Sequence, residues 1–212
     1  MKIERRNLAG RVVVESRADG EPAAIRGVAA VFYDGTPETE YQLWSDCYER
    51  IAPGAFDRAI QESDDCRALF NHDANLILGR TKSKTLTLSV SAKGLEYSTS
   101  PAETSVYRDV VEHVSRGDVD GSSFSFSIES EQWDYDAARK CDVRTILSVR
   151  TLYDVGPVVY PAYEGTTAAA RSAGGVEEAR ASWQAWQSSR KCPDNGSDSR
   201  KRLRTELELL TL

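Results

Sequence analysis

Two short segments about fifty residues apart carry the side chains with the most chemistry in them: Phe70-Asn71-His72-Asp73, and Gly121-Ser122-Ser123-Phe124-Ser125-Phe126-Ser127-Ile128. The chain has two histidines, and His72 is one of them. The second segment alternates strictly, so Phe124, Phe126 and Ile128 line one face of a strand while Ser123, Ser125 and Ser127 line the other. A serine hydroxyl is a weak nucleophile near neutral pH and needs a base within about 3 Å to take its proton. An imidazole, with an ordinary pKa near ~6.5, is the side chain best matched to that task. A histidine and a strand-borne serine can make a hydrolase. Each half also has a plainer reading: a half-buried antiparallel strand keeps its serine side in water, and Asn and Asp beside a histidine favour a turn.

The base of such a pair needs its ring oriented, and three residues could do it. Asp73 follows His72 directly, where an extended chain points it to the opposite side. His113 lies near the end of a helix pattern, where a cation at the helix carboxyl end is an equally good account of it. Asp154 lies in a strand pattern from Val143 to Val159, with Leu147, Val149, Tyr153 and Val155 on one parity and Ser148, Arg150 and Asp154 on the other. Asp154 therefore faces away from the apolar row. Oxyanion donors are usually backbone N–H groups, which a sequence does not single out. Cys66, close to His72 in sequence, would be a thiol alternative with no second motif behind it.

The elements that must hold these residues are mostly strands. Arg11 to Glu15 and Ile25 to Phe32 read as strands on either side of a Gly20-Glu21-Pro22 turn. Pro53-Gly54 introduces a short helix from Ala55 to Gln61. Strands follow at Ala68 to Phe70, Leu76 to Gly79, Leu86 to Val90 and Leu95 to Thr99, the last two as a hairpin. Val106, Val110 and Val114 recur every four residues, which predicts a helix over Ser105 to Ser115 that Gly117 ends. That helix delivers the chain to the serine strand, and a turn near Asp134 to Arg139 leads to the strand that carries Asp154. Beyond Arg171 the composition shifts to Ala, Ser, Gly and charge. A helix is expected around Val176 to Gln187, a loop at Cys192-Pro193-Asp194-Asn195-Gly196, and a charge-mixed end from Arg200. Three segments result: residues 1–24 with one strand, a domain at 25–171, and a flexible tail at 172–212. Pattern alone gives a mostly β domain with peripheral helices.

Six motifs in order add a family resemblance: Tyr48-Glu49-Arg50-Ile51-Ala52-Pro53-Gly54-Ala55-Phe56, Leu69-Phe70-Asn71-His72-Asp73, Leu78-Gly79-Arg80-Thr81, Arg116-Gly117-Asp118-Val119, Ser123-Phe124-Ser125-Phe126, and Asp154-Val155-Gly156-Pro157-Val158-Val159-Tyr160-Pro161-Ala162-Tyr163. Together they resemble the prohead maturation proteases of tailed bacteriophages, which are similar in fold to the herpesvirus capsid-maturation proteases. The resemblance spans Ile25 to Arg171. It implies an α+β architecture built on a closed or nearly closed antiparallel β-barrel of the herpesvirus-protease type. It also implies Ser123 as the nucleophile, preceding Phe124 in Ser-Phe-x-Phe, and His72 as the base. Asp154 follows as the third member in the order His, Ser, third member. The family often has Met where Ser122 stands here, and in the herpesvirus relatives a second histidine is the third member, which keeps His113 as the rival.

The implied activity is a serine endopeptidase that cleaves the scaffold, or the scaffolding segment of the major capsid protein, and itself, inside an immature capsid. The setting would be the cytoplasm of a bacterial host, with an integrated prophage as one source. The expected partners are these substrates and further copies of the chain, in autoproteolysis or a homo-oligomer. No cofactor is expected. The alternative is a non-enzymatic scaffold or assembly protein on the same fold, with Trp183 and Trp186 as anchors.

Composition sets bounds on other classes. At 212 residues, with 40% hydrophobic and 28% charged side chains, the chain can bury a core without metal or disulfide staples. A net charge of −6 argues against gripping a phosphate backbone, and Arg200-Lys201-Arg202 with Arg204 is diluted by Glu206 and Glu208. No apolar run approaches the ~20 residues that cross a bilayer, and Lys2 to Arg6 lead into no signal-peptide core. Cys47, Cys66, Cys141 and Cys192 form no C-x-x-C pair, so neither a disulfide framework nor a zinc site is expected.

Overall fold

Period-two alternation becomes strand at each of the expected runs from Val12 onward in the computed structural model, which describes residues 3–8, 12–15, 23–62, 65–160 and 176–190. The strands are β1 (Glu4–Leu8), β2 (Val12–Glu15), β3 (Ala24–Val31), β4 (Tyr41–Trp44), β5 (Cys47–Ile51) and β6 (Arg67–Leu69). They continue with β7 (Ile77–Arg80), β8 (Leu86–Val90), β9 (Gly94–Thr99), β10 (Gly121–Asp136) and β11 (Cys141–Val158). Helix α1 is Asp57–Gln61 and α2 is Ser105–Arg116. Thr104 caps α2 by accepting from the Tyr107 N–H, and Gly117, at φ 80°, closes it in the left-handed conformation glycine tolerates.

The chain forms two compact units, residues 1–178 and 179–212. Most of a 15-residue helix, α3 (Val176–Arg190), falls in the second. The Gly20-Glu21-Pro22 turn, residues 172–175, the Cys192 to Gly196 loop and the charge-mixed end lie outside the described residues. No helix among the described residues is long and apolar enough to cross a membrane.

The mostly β architecture with few helices forms as expected, but the closed or nearly closed antiparallel barrel is not supported, since no sheet closes among the described residues. Seven strands make one sheet in the order β1-β10-β11-β5-β4, with β6 on β11 and β7 on β6; four make a second, β2-β3-β9-β8. Both are open among the described residues. A barrel needs every strand paired on both sides, whereas β2 and β8 end the small sheet, β1, β4 and β7 end the large one, and the second edge of β11 is divided. Its first half takes β5 in parallel, Asp142↔Cys47 to Ile146↔Ile51, and its second half takes β6, Asp154↔Arg67 and Val155↔Ala68. One core joins the two sheets, with Ile25, Ala29, Leu95 and Tyr97 of the small sheet in the same buried cluster as Phe124, Phe126 and Val149 of the large one.

Bulges in the β10–β11 ladder reset the parity read from sequence. The register slips between Ser125 and Phe126 and at three points between Ser127 and Glu131. Val149, Leu152 and Val155 are buried as a result, while Leu147 turns outward.

β1 is a strand that alternation does not announce, and it joins β2 among the described residues ahead of β3. Its sequence, Glu4-Arg5-Arg6-Asn7-Leu8, is mostly charged, and burial of those charges is made possible by partners. The Arg6 guanidinium bonds Glu49 at 2.5 Å and Glu4 at 2.7 Å. Arg144 bonds Glu4 at 2.7 Å and Glu49 at 2.9 Å. Burial alone would raise the Glu49 carboxyl, but Arg6 and Arg144 outweigh it and hold the group below its usual range. A carboxylate depressed in the folded state gives stability that is complete above the unfolded value, about 4.3, and is lost as pH falls toward the folded one. Thermal melts from pH 7 downward should therefore show a steep loss of Tm in acid that is shallower in Glu49→Gln. Equal acid slopes in the two proteins would show that Glu49 does not contribute to the linkage.

Candidate active site

β11 runs between the two segments that carry the site. On one edge it pairs antiparallel with β10, setting Ser123 opposite Gly156 and Ser125 opposite Asp154. On the other edge it pairs with β6, whose chain continues into the turn that holds His72. Gly156 permits this close approach, since a Cβ there would lie 2.0 Å from the Leu69 carbonyl oxygen. The turn itself puts Asn71 and His72 both in the left-handed region, at φ 53° and 58°. Asn and His are among the residues that visit it most readily.

The result places His72 between a carboxylate and a hydroxyl. Its Nδ1 lies 2.5 Å from Asp154 Oδ1, and its Nε2 lies 2.6 Å from Ser123 Oγ. With the Nδ1 proton donated to the carboxylate, Nε2 presents a lone pair to the serine. The His72 and Asp154 side chains are each about nine-tenths buried, so little water competes for these bonds. The arrangement can move a proton from a hydroxyl to an imidazole and hold the imidazolium that results.

Ser123 has no exposed surface, and what covers it is β1. Asn7 sits opposite Ser123 and Arg5 opposite Ser125 in the β1–β10 ladder. The Ser123 hydroxyl is within reach of the Arg6 carbonyl at 2.9 Å and of the Asn7 side-chain amide. The one serine proton therefore has three acceptors within reach, the Arg6 carbonyl, the Asn7 side-chain oxygen and His72 Nε2. Arg5 Nε donates to Ser125 Oγ at 3.2 Å, and Ser125 Oγ lies 3.1 Å from His72 Nδ1. Arg5 and Asn7 were not among the residues expected at the site. The only signal for them is that their strand, once recognised, must present alternate residues to the serine face.

Other candidates lie elsewhere. His113 stays on α2, 3.6 Å from Asp118. Asp73 turns to its own loop and accepts from the backbone and side-chain amides of Asn75, both at 2.8 Å. Cys66 is fully buried in the apolar core, and Cys47 is buried with its thiol pushed up to about 12, first by burial and then by Asp142 and Glu49. Ser122 points to the opposite side of β10 and donates to the buried Tyr97 hydroxyl at 3.3 Å. The serine face expected in water is buried: Ser125 and Ser127 are 1% and 3% exposed.

The chain belongs to the caudovirus prohead serine protease family, whose model matches residues 11–179. It is thus a serine protease with a role in capsid maturation, which sets aside the non-enzymatic alternative. No curated protein and no solved structure gives a significant match. The match begins after β1, so Asn7 and Arg5 lie ahead of the segment shared with the family.

Proposed function

We propose that Ser123, His72 and Asp154 are the catalytic residues, an assignment that rests chiefly on the His72 ring standing within hydrogen-bond distance of both partners. Asn7 first swings off the hydroxyl, because a serine with no exposed surface meets no substrate. Ser123 Oγ then attacks the peptide carbonyl carbon as its proton passes to His72 Nε2. Asp154 holds the imidazolium in place, and the proton goes on to the departing amine as the C–N bond breaks. Water, giving its proton to His72 Nε2, attacks the acyl ester; the ester C–O bond breaks, His72 returns the proton to Ser123 Oγ, and the new carboxyl terminus departs.

The substrates are the scaffold, or the scaffolding segment of the major capsid protein, together with this chain itself, within the immature capsid of a bacterial host. Enclosure with assembling capsid protein supplies a high local concentration of both kinds of substrate. The segment 172–212, outside most of the family match, is the place for self-cleavage. The test is co-expression with the capsid and scaffold proteins, followed by intact-mass spectrometry. Expected are shortened capsid or scaffold protein and clipping of this chain within 172–212, both absent with Ser123→Ala. Unchanged masses in assembled particles would contradict these substrates.

A further inference from the structure

We infer that Asn71 is a positioning residue for the His72 base, acting through its side-chain amide on the end of β11. The inference rests on the reading of His72 as the base. The parallel β6–β11 ladder stops at Val155↔Ala68, well short of the histidine. Asn71 extends the attachment. Its backbone N–H donates to the Pro157 carbonyl at 3.0 Å, and its Oδ1 accepts from the Val159 N–H at 2.9 Å.

The side-chain oxygen thereby substitutes for the peptide carbonyl that a continuing strand would have offered. The chain can leave the ladder at Asn71, turn through two left-handed residues, and still be fastened to β11 on both sides of Val158. The bonds inside the turn, Asp73 N–H to the Phe70 carbonyl and Phe70 N–H to the Leu76 carbonyl, at 3.0 and 3.1 Å, shape the loop but do not tie it to β11. That tie matters because β11 also carries Asp154 and, across the ladder, sets Ser123 opposite Gly156. One strand thus positions the carboxylate, the hydroxyl and, through Asn71, the imidazole. Left-handed backbone at Asn71 and His72, which these residue types adopt more readily than most, still costs energy that such ties offset.

The test uses the full chain and three variants. Asn71→Gly keeps the left-handed backbone accessible while removing the side chain with its amide and loosening the backbone; Asn71→Asp keeps an acceptor for the Val159 N–H; Asn71→Ala removes the amide and adds backbone strain. Modification of Ser123 by a fluorophosphonate is followed to saturation, alongside thermal melts and the far-downfield proton resonance of the His72 Nδ1–H shared with Asp154. A small misplacement of a catalytic group costs one to two powers of ten. Asn71→Gly should therefore lower kinact by about tenfold or more, with KI and Tm close to the parent and the downfield resonance broadened or lost. Asn71→Asp should restore kinact and the resonance, and Asn71→Ala should fall at or below Asn71→Gly. A parent-like kinact and resonance in Asn71→Gly would overturn the inference, as would equal loss in the Gly and Asp variants. If the parent itself showed neither labelling at Ser123 nor the resonance, the assignment of the site would fall first and this inference with it.

Discussion

Replacing Ser123 with alanine should abolish peptide cleavage while the protein stays folded. The hydroxyl is the only group on the serine face that touches His72 Nε2, and without it no acyl intermediate can form. Loss of the nucleophile in enzymes of this type costs roughly 10⁶-fold in turnover. The stability cost should be small by comparison: one buried hydrogen-bonded hydroxyl is lost, worth about 1 kcal/mol, while the apolar side of β10 is unchanged. Ser122→Ala is the matched control. It removes an equally buried hydroxyl, one that donates to Tyr97 on the other face, and should keep cleavage near the parent rate. Cleavage assays on both purified variants, with circular dichroism to compare folding, separate the two serines. Residual cleavage at the parent rate in Ser123→Ala would move the nucleophile elsewhere.

The second large effect is expected at Asp154. An asparagine there keeps the shape of the side chain but can turn its NH2 toward Nδ1, which favours the tautomer that places the proton on Nε2 and leaves it unable to accept from serine. In a serine protease the same exchange costs roughly 10⁴-fold in turnover. Asp154→Asn should fall by about that factor, and His113→Gln should be nearly normal, because His113, on α2, faces Asp118 just past the helix end. Steady-state kinetics on the two variants decide between them. The reverse pattern would make this a Ser-His-His enzyme.

Much of this site is legible in the sequence because its residues sit on strands with strong local patterns. Alternation in Gly121 to Ile128 fixes which serines share a face, and it holds in the structure. The placement of Asp154 away from the apolar row is readable in the same way, although the bulges put Leu147 and Tyr153 out of step with Val149 and Val155. Three features resist such reading: β4 and β5, which form where no strand is expected, the closure of the sheets, and β1. Whether a sheet closes depends on which distant edges meet, and here β11 gives one edge to β5 and β6 in turn, and two open sheets result among the described residues. β1 escapes because its run of charges resembles a solvated segment. Its strand character comes from Glu49 and Arg144, which lie far along the chain and neutralise Glu4 and Arg6 in the folded state. With β1 unseen, the covering of Ser123 by Asn7 could not be foreseen.

The assignment of Ser123 as nucleophile is tested most directly by treating the full chain with a fluorophosphonate and mapping the adduct by tandem mass spectrometry. The expected result is a single modified serine at Ser123, with labelling lost in His72→Gln and strongly slowed in Asp154→Asn. An adduct on Ser122, Ser125 or another serine, or labelling of Ser123 that persists at the parent rate without His72, would contradict it.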